Sequence, residues 1–250
     1  MDREIRTILI IDSSASVLFY LGMLLRRLEY NVVTSRNAED AMQIMEQSIP
    51  SIILMDISLP TMSGINLVKR LKDAPLWKAI PIIVLTGENG PGMKDACIHL
   101  GCAAYLSKPV EPDVLYRTLQ SVSESIPREN IRLNTSLKVI VGDGTVMGGT
   151  ARTEYATAIS EGGLYVRTLY PQPRNALTPI RIFVGNQEIQ ARAVVLYSFT
   201  MEGGPFKEPG MGLKFVEIAD SDRSFIRSFI KEQLTQDISP DENNARASAH

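Results

Sequence analysis

Two hydrophobic rhythms divide this chain, and the change from one to the other near residue 125 limits what it can fold into. From Thr7 to about Ser123, short apolar runs ("TILII", "NVVTS", "SIILM", "IPIIVLT", "AAYLS") alternate with stretches of helical periodicity ("VLFYLGMLLRRL", "AEDAMQIMEQ", "INLVKRLKD", "GMKDACIHLG", "PDVLYRTLQSV"). Five strands alternating with five helices predict an α/β unit, a doubly wound (βα)5 parallel sheet with helices on both faces. After Arg132 the texture becomes extended segments cut by Gly and Pro: "LKVIVGDGT", "ARTEYATAIS", "GGLYVRTL", "PIRIFVG", "EIQARAVVLYSF" and "GMGLKFVEI". Six short strands with frequent turn signals predict an all-β barrel or sandwich. Asp143-Gly144 reads as a tight hairpin turn within it. "SDRSFIRSFIKEQL" reads as a closing helix capped by Ser221, with Phe225, Ile226, Phe229, Ile230 and Leu234 on one apolar stripe.

The length of 250 residues accommodates two cores. The boundaries expected are 1–124 for the α/β unit, 125–134 for a linker, 135–235 for the barrel with its helix, and 236–250 for a disordered tail with little to bury. A net charge of -2 supplies no broad attraction to DNA or anionic lipid, so any phosphate ligand needs a local site. The N-terminus lacks the apolar core of a signal peptide and no apolar run approaches a membrane span, so a cytoplasmic protein is expected. Cys97 and Cys102, five apart, suit neither a metal pair nor a redox CxxC and are expected to be reduced and buried. With His99 and His250 the only histidines, a histidine-based metal site or catalytic triad is disfavoured, and no Walker A or GxGxxG loop is present. The strand-rich second half has neither a helix-turn-helix pattern nor a basic stripe, which argues against DNA as a partner.

In an open parallel sheet, ligands sit beyond the carboxyl ends of the strands. The polar residues ending the strands here are Asp12 and Ser13, Asp56, Thr86 and Lys108. Two carboxylates there can hold Mg²⁺, while a lysine and a threonine hydroxyl can hold the oxygens of a phosphoryl group. Over residues 5 to 124 this pattern resembles the receiver domain of bacterial response regulators. The resemblance implies Asp56 in "LMDISLPTMSG" as phosphoacceptor, Thr86 as switch hydroxyl, Tyr105 as switch aromatic and Lys108 in "SKP" as the phosphoryl contact. It also implies Mg²⁺ held by Asp12, Asp56 and the backbone carbonyl of Ser58, a sensor histidine kinase as donor, and a homodimer through the receiver. The chain departs from the family at Ser13 in "IIDSSAS", where a second acid usually stands, and a hydroxyl brings no charge to the metal.

At the joint, "IPRENIRLN" sets Arg128 and Arg132 four residues apart. Guanidinium groups fork onto phosphate oxygens and stack on purine faces. Further along lies "TAISEGGLYV", where Ser160 offers a hydroxyl and Gly163 an unhindered backbone. Arg-x-x-x-Arg followed by Ser-x-x-Gly, in front of six strands and a closing helix, looks like the PilZ domain over residues 127 to 234. That resemblance implies a six-stranded antiparallel barrel binding cyclic di-GMP through Arg128, Arg132, Ser160 and Gly163. The departure is Ala158, where the family has Asp or Asn to bond a guanine edge.

The function expected is a non-enzymatic response regulator coupling a phosphorylatable receiver to cyclic di-GMP binding. A downstream protein of motility, pili or exopolysaccharide is the family-implied target. The alternative is a degenerate receiver and barrel that bind neither phosphate nor nucleotide and act as a scaffold through protein contacts.

Overall fold

Parallel pairing organises the first half of the chain. Strands β1 (Thr7–Ile11), β2 (Asn31–Ser35), β3 (Ile52–Met55), β4 (Ile82–Thr86) and β5 (Ala104–Ser107) form one sheet in the order β2-β1-β3-β4-β5. Helices α1 (Ala15–Arg27), α2 (Ala38–Gln47), α3 (Gly64–Asp73), α4 (Met93–His99) and α5 (Pro112–Ser123) alternate with them. The computed structural model describes residues 5–88, 90–145, 149–200 and 208–238. The chain forms two units, one running to Glu129 and resuming at Leu234, the other Asn130–Gln233.

Local chemistry sets the helix starts. Ser14, Asn37 and Ser63 accept from the backbone N–H of Val17, Asp40 and Asn66, and Pro112 opens α5, where its missing N–H costs nothing. β1, β3 and β4 are apolar and almost wholly buried, as strands covered on both faces must be. Cys97 and Cys102 are free and buried. Their spacing has a backbone cause: Gly101 (φ 88°) ends α4, and the Cys102 N–H bonds the Cys97 carbonyl at 3.1 Å. This helix ending brings the residues five apart together as an apolar contact.

Gln120, 1% exposed, donates from Nε2 to the Tyr30 hydroxyl at 3.0 Å and accepts the Arg128 N–H on Oε1 at 3.2 Å. The main chain at Arg128 is thus fastened to the core of the first unit rather than loose beyond α5. No helix among the described residues is long and apolar enough to cross a membrane.

The second unit is a closed barrel of β6 (Leu133–Val141), β7 (Arg152–Ser160), β8 (Gly163–Arg167), β9 (Leu177–Val184), β10 (Gln187–Phe199) and β11 (Gly210–Ile218), in the order β10-β11-β8-β7-β6-β9. Every pairing within it is antiparallel, and closure leaves no strand edge open. Alternate residues such as Ile180, Ile182 and Val184, or Ile189, Ala191, Ala193 and Val195, fill the interior. Helix α6 (Asp220–Thr235) comes next, with Ile226 and Ile230 buried and Phe225 and Phe229 half-buried.

Three details differ from the sequence reading. β6 begins at Leu133 rather than Leu137, with a register shift between Asn134 and Leu137, because the pairing to β7 continues through an irregularity that periodicity does not reveal. Asp143-Gly144 is not a two-residue hairpin: residues 142–151 separate β6 from β7, and the Asp143 carboxylate accepts from the Thr145 N–H at 2.9 Å and hydroxyl at 2.6 Å. Ser221 lies inside α6, which starts at Asp220, and the Ala219 carbonyl accepts the first helical bond from Arg223. From residue 239 onward the tail expected to be disordered lies outside the described residues.

The β7–β8 connection is two residues long, and Gly163 opposes both Ser160 and Lys214. A Cβ on Gly163 would stand 2.0 Å from the Leu213 carbonyl oxygen, so only glycine lets β8 and β11 approach this closely. Gly163→Ala is therefore expected to destabilise the barrel by about 3 kcal/mol. Urea unfolding would measure it, and an unchanged midpoint would contradict the close approach.

Candidate functional site

The carboxyl edge of the parallel sheet collects the expected residues of the first unit. β1 and β3 are neighbours although β2 lies between them in sequence, which makes their junction the point where the sheet changes direction. Asp12 comes directly after β1, Asp56 directly after β3, and the Asp56 N–H bonds the Ile11 carbonyl at 2.9 Å. Gly64 seats α3 directly beneath, since a Cβ there would lie 2.6 Å from the Asp56 carbonyl oxygen. Both carboxylates are buried: Asp12 is 3% and Asp56 7% exposed.

Lys108 joins them. Its ammonium lies 2.5 Å from Asp12 Oδ2 and 2.5 Å from Asp56 Oδ2. The other oxygens are also engaged: Asp12 Oδ1 accepts the Ser14 N–H at 2.9 Å and Asp56 Oδ1 the Ser58 N–H at 3.1 Å. Burial pushes the Asp56 carboxyl up, but bonds from Lys108, the Ser58 N–H and Thr86, with the lysine's charge, prevail and hold it below the usual range. Burial pulls the Lys108 ammonium down, and its bonds to Asp12 and Asp56 outweigh this and raise it. Thr86 is fully buried at the end of β4, and its hydroxyl accepts the Glu88 N–H at 3.2 Å.

Glu88 gave no sequence signal, yet it connects three parts of the site. Its carboxylate accepts from the Ser58 hydroxyl at 2.6 Å, and its carbonyl accepts from the Tyr105 hydroxyl at 2.6 Å. Burial, then Cys97, Glu88 and Asp56, raise the Tyr105 phenol, which keeps it a donor. Arg36 was also missed. Its guanidinium donates to the Ser13 carbonyl at 3.2 and 3.4 Å, placing a cation at the segment where the family has its additional acid.

The donor set is compatible with a magnesium ion. Two carboxylate oxygens that one ammonium reaches together lie close enough to share a dication, and Mg²⁺ commonly takes one or two carboxylates. Asp12, Asp56 and the Ser58 carbonyl would hold it, with Ser13 contributing no charge.

In the barrel unit, Arg132 directly precedes β6, and Leu133 pairs with Ile159, which places Arg132 at the β7 end that carries Ser160. The Ser160 hydroxyl donates to the Gly163 carbonyl across the turn at 3.1 Å. Gly163 is buried, so its backbone is not the open surface expected from sequence. Ala158 is 6% exposed and pairs with Asn134 and Tyr165. Arg128 belongs to the first unit and Arg132 to the second.

A half-buried lysine between two buried strand-end carboxylates on a 2-1-3-4-5 parallel sheet is the arrangement at this edge. Residues 8–120 match the response regulator receiver domain family. Protein PilH of Pseudomonas aeruginosa is 30% identical over 115 residues, covering 46% of this chain and 95% of its own length. The polar-differentiation response regulator DivK of Brucella anthropi is 35% identical over 92 residues, covering 37% of this chain and 75% of its own. The phosphate regulon transcriptional regulatory protein PhoB of Pseudomonas aeruginosa is 33% identical over 117 residues, covering 47% of this chain; the chain spans 51% of that relative. The chain belongs, through residues 8–120, to the response regulator receiver family and is a signalling protein.

The two shifted groups bound the site's pH range. The contribution of Asp56 is complete above the ordinary carboxylate range and is lost as pH falls through its depressed pKa. That of Lys108 is complete below the ordinary lysine pKa and is lost as pH rises through its raised value. Lys108→Met leaves two adjacent buried carboxylates without a cation and is expected to cost about 3 kcal/mol at pH 7. The deficit should shrink at pH 4, where the carboxyls take up protons. Denaturant titrations at both pH values measure this, and a deficit equal at the two would refute it.

Proposed function

We propose that this response regulator accepts a phosphoryl group on Asp56 and binds cyclic di-GMP on its barrel, so that one chain reads two signals. The observation that carries the nucleotide half is the β6–β7 register, which puts Arg132 at the barrel end bearing Ser160. The closed six-stranded barrel with its closing helix supports likeness to the PilZ domain, and so do Arg128, Arg132, Ser160 and Gly163 as the motif positions. Arg132 would fork onto a phosphodiester, a charge-assisted contact.

The receiver half rests on the Lys108 geometry. An Asp56 oxygen attacks the phosphorus of a histidine-kinase phosphoramidate or of acetyl phosphate, and the bond from phosphorus to the donor breaks as the new one forms. Lys108 moves from the carboxylates onto the arriving phosphoryl oxygens, where it offsets their charge. Thr86, already bonded toward Asp56, donates to another oxygen. Mg²⁺ held by Asp12, Asp56 and the Ser58 carbonyl would supply further positive charge there. The partners this reading implies are a sensor histidine kinase and a downstream protein of motility, pili or exopolysaccharide.

Two observations in the barrel favour the scaffold alternative, in which the chain binds neither phosphate nor nucleotide. Leu213 accounts for the glycine at 163 without any ligand, and Ala158 is buried without a polar group.

Two measurements separate the readings. Acetyl phosphate should label wild type but not Asp56→Asn, and labelling should rise in Ser13→Asp, which adds the missing charge for the metal; label on Asp56→Asn would disprove the acceptor. Calorimetric titration should show cyclic di-GMP binding weakened about tenfold or more by Arg132→Ala. Wild type that takes up no nucleotide would leave the scaffold.

A further inference from the structure

Helix α6 grips the turn that the proposed nucleotide site would use. The turn joining Ser160 to Gly163 consists of Glu161 and Gly162. Arg227 meets the Glu161 carboxylate with both prongs, Nε to Oε1 at 2.8 Å and Nη2 to Oε2 at 2.7 Å. Arg223, one helical turn earlier, donates to the Glu161 carbonyl at 2.8 Å. On the other side, the Phe215 N–H bonds the Gly162 carbonyl at 2.9 Å. A Cβ on Gly162 would stand 3.1 Å from the Asn130 side-chain amide, so the segment carrying Arg132 runs against the same turn. Lys214 pairs with Gly163 at the turn's edge. Arg223 and Arg227 therefore bring their guanidinium groups onto this turn, Arg132 and Lys214 adjoin it in the strand register, and Glu161 is the carboxylate within it.

We propose that Arg227 is a further ligand contact, and that Glu161 occupies its fork until a phosphodiester of a cyclic dinucleotide displaces it. This rests on the nucleotide reading above and adds a residue outside the Arg-x-x-x-Arg and Ser-x-x-Gly motifs. The chemistry is an exchange of like for like: a carboxylate and a phosphodiester present the same pair of oxygens to a guanidinium, and both accept two parallel bonds. The Arg227 side chain is 59% exposed, so the fork is open to an arriving anion from the solvent side, while the Glu161 side chain it holds is 21% exposed. Arg223 keeps the turn in place meanwhile, since its bond goes to the backbone and not to the displaced side chain. A bound phosphodiester would free the Glu161 carboxylate to solvent and draw α6 into the site.

The competition gives the two partners opposite signs. In full-length protein, Glu161→Gln removes the competing charge and should tighten cyclic di-GMP binding about threefold. Arg227→Ala removes the contact and should weaken it about tenfold, with Arg227→Lys between them because it keeps the charge but loses the fork. A purely structural tie predicts that Glu161→Gln and Arg227→Ala weaken binding alike, since each breaks the same pair. Calorimetry on wild type, Arg132→Ala, Glu161→Gln, Arg227→Ala and Arg227→Lys decides it, with melting curves to confirm that each variant folds. If wild type binds and Arg132→Ala loses binding, but Glu161→Gln binds no tighter than wild type, the exchange is overturned while the nucleotide reading stands. If wild type does not bind at all, both fall.

Discussion

One ammonium group held by two buried carboxylates is the constraint around which the first unit is arranged. Asp12 and Asp56 are almost wholly removed from water, and two such charges at this separation could not both persist without a cation between them. The sheet order makes them neighbours, Gly64 lets α3 rise under Asp56, and β5 delivers Lys108 from the far edge of the sheet. The pKa directions agree with this account: both groups are pushed toward neutrality by burial, and both are brought back by each other. An anion arriving at Asp56 adds charge to a site where the lysine already has two claims on it. Any negative charge added there would have to redistribute that one cation, and Thr86 and Glu88 are tied to the same site through their own bonds.

The barrel depends on a different constraint, the approach of backbones that no side chain separates. At Gly163 the carbonyl of Leu213 fills the space of a Cβ, and the same glycine closes the turn that α6 grips. A residue type that reads as a ligand surface in the sequence is thus explained by packing. Arg132 and the arginines of α6 stand at this same end of the barrel.

Much of the fold is legible in the sequence because periodicity reports burial. The five strands and five helices of the first unit stand close to where the alternation puts them, and the strand-end acids, Thr86 and Lys108 lie together as that alternation requires. What escapes such reading is non-local or irregular. The shift between Asn134 and Leu137 breaks the period of two, so β6 reads as starting late. Glu88, Arg36, Glu161 and Arg227 act through partners distant in sequence: Arg227 meets Glu161 across 66 residues. An exposed charged residue on a helix carries no mark of such a bond. Ser221 and Asp143-Gly144 mislead for the opposite reason, because residue types that favour caps and tight turns also serve in first helical turns and longer loops.

Gln120 gives the first unit a fixed hold on the joint beyond α5. A buried amide that bonds a tyrosine hydroxyl on one side and a backbone N–H on the other is costly to disturb, because either broken bond leaves a polar group unsatisfied in the core. The N–H it holds belongs to Arg128, the first arginine of the joint. Tyr30 stands immediately before β2, while Gln120 lies in the last helical turns before the joint, so the contact ties the start of β2 to α5. The backbone of Arg128 is therefore tied to the seating of α5 through a single buried side chain.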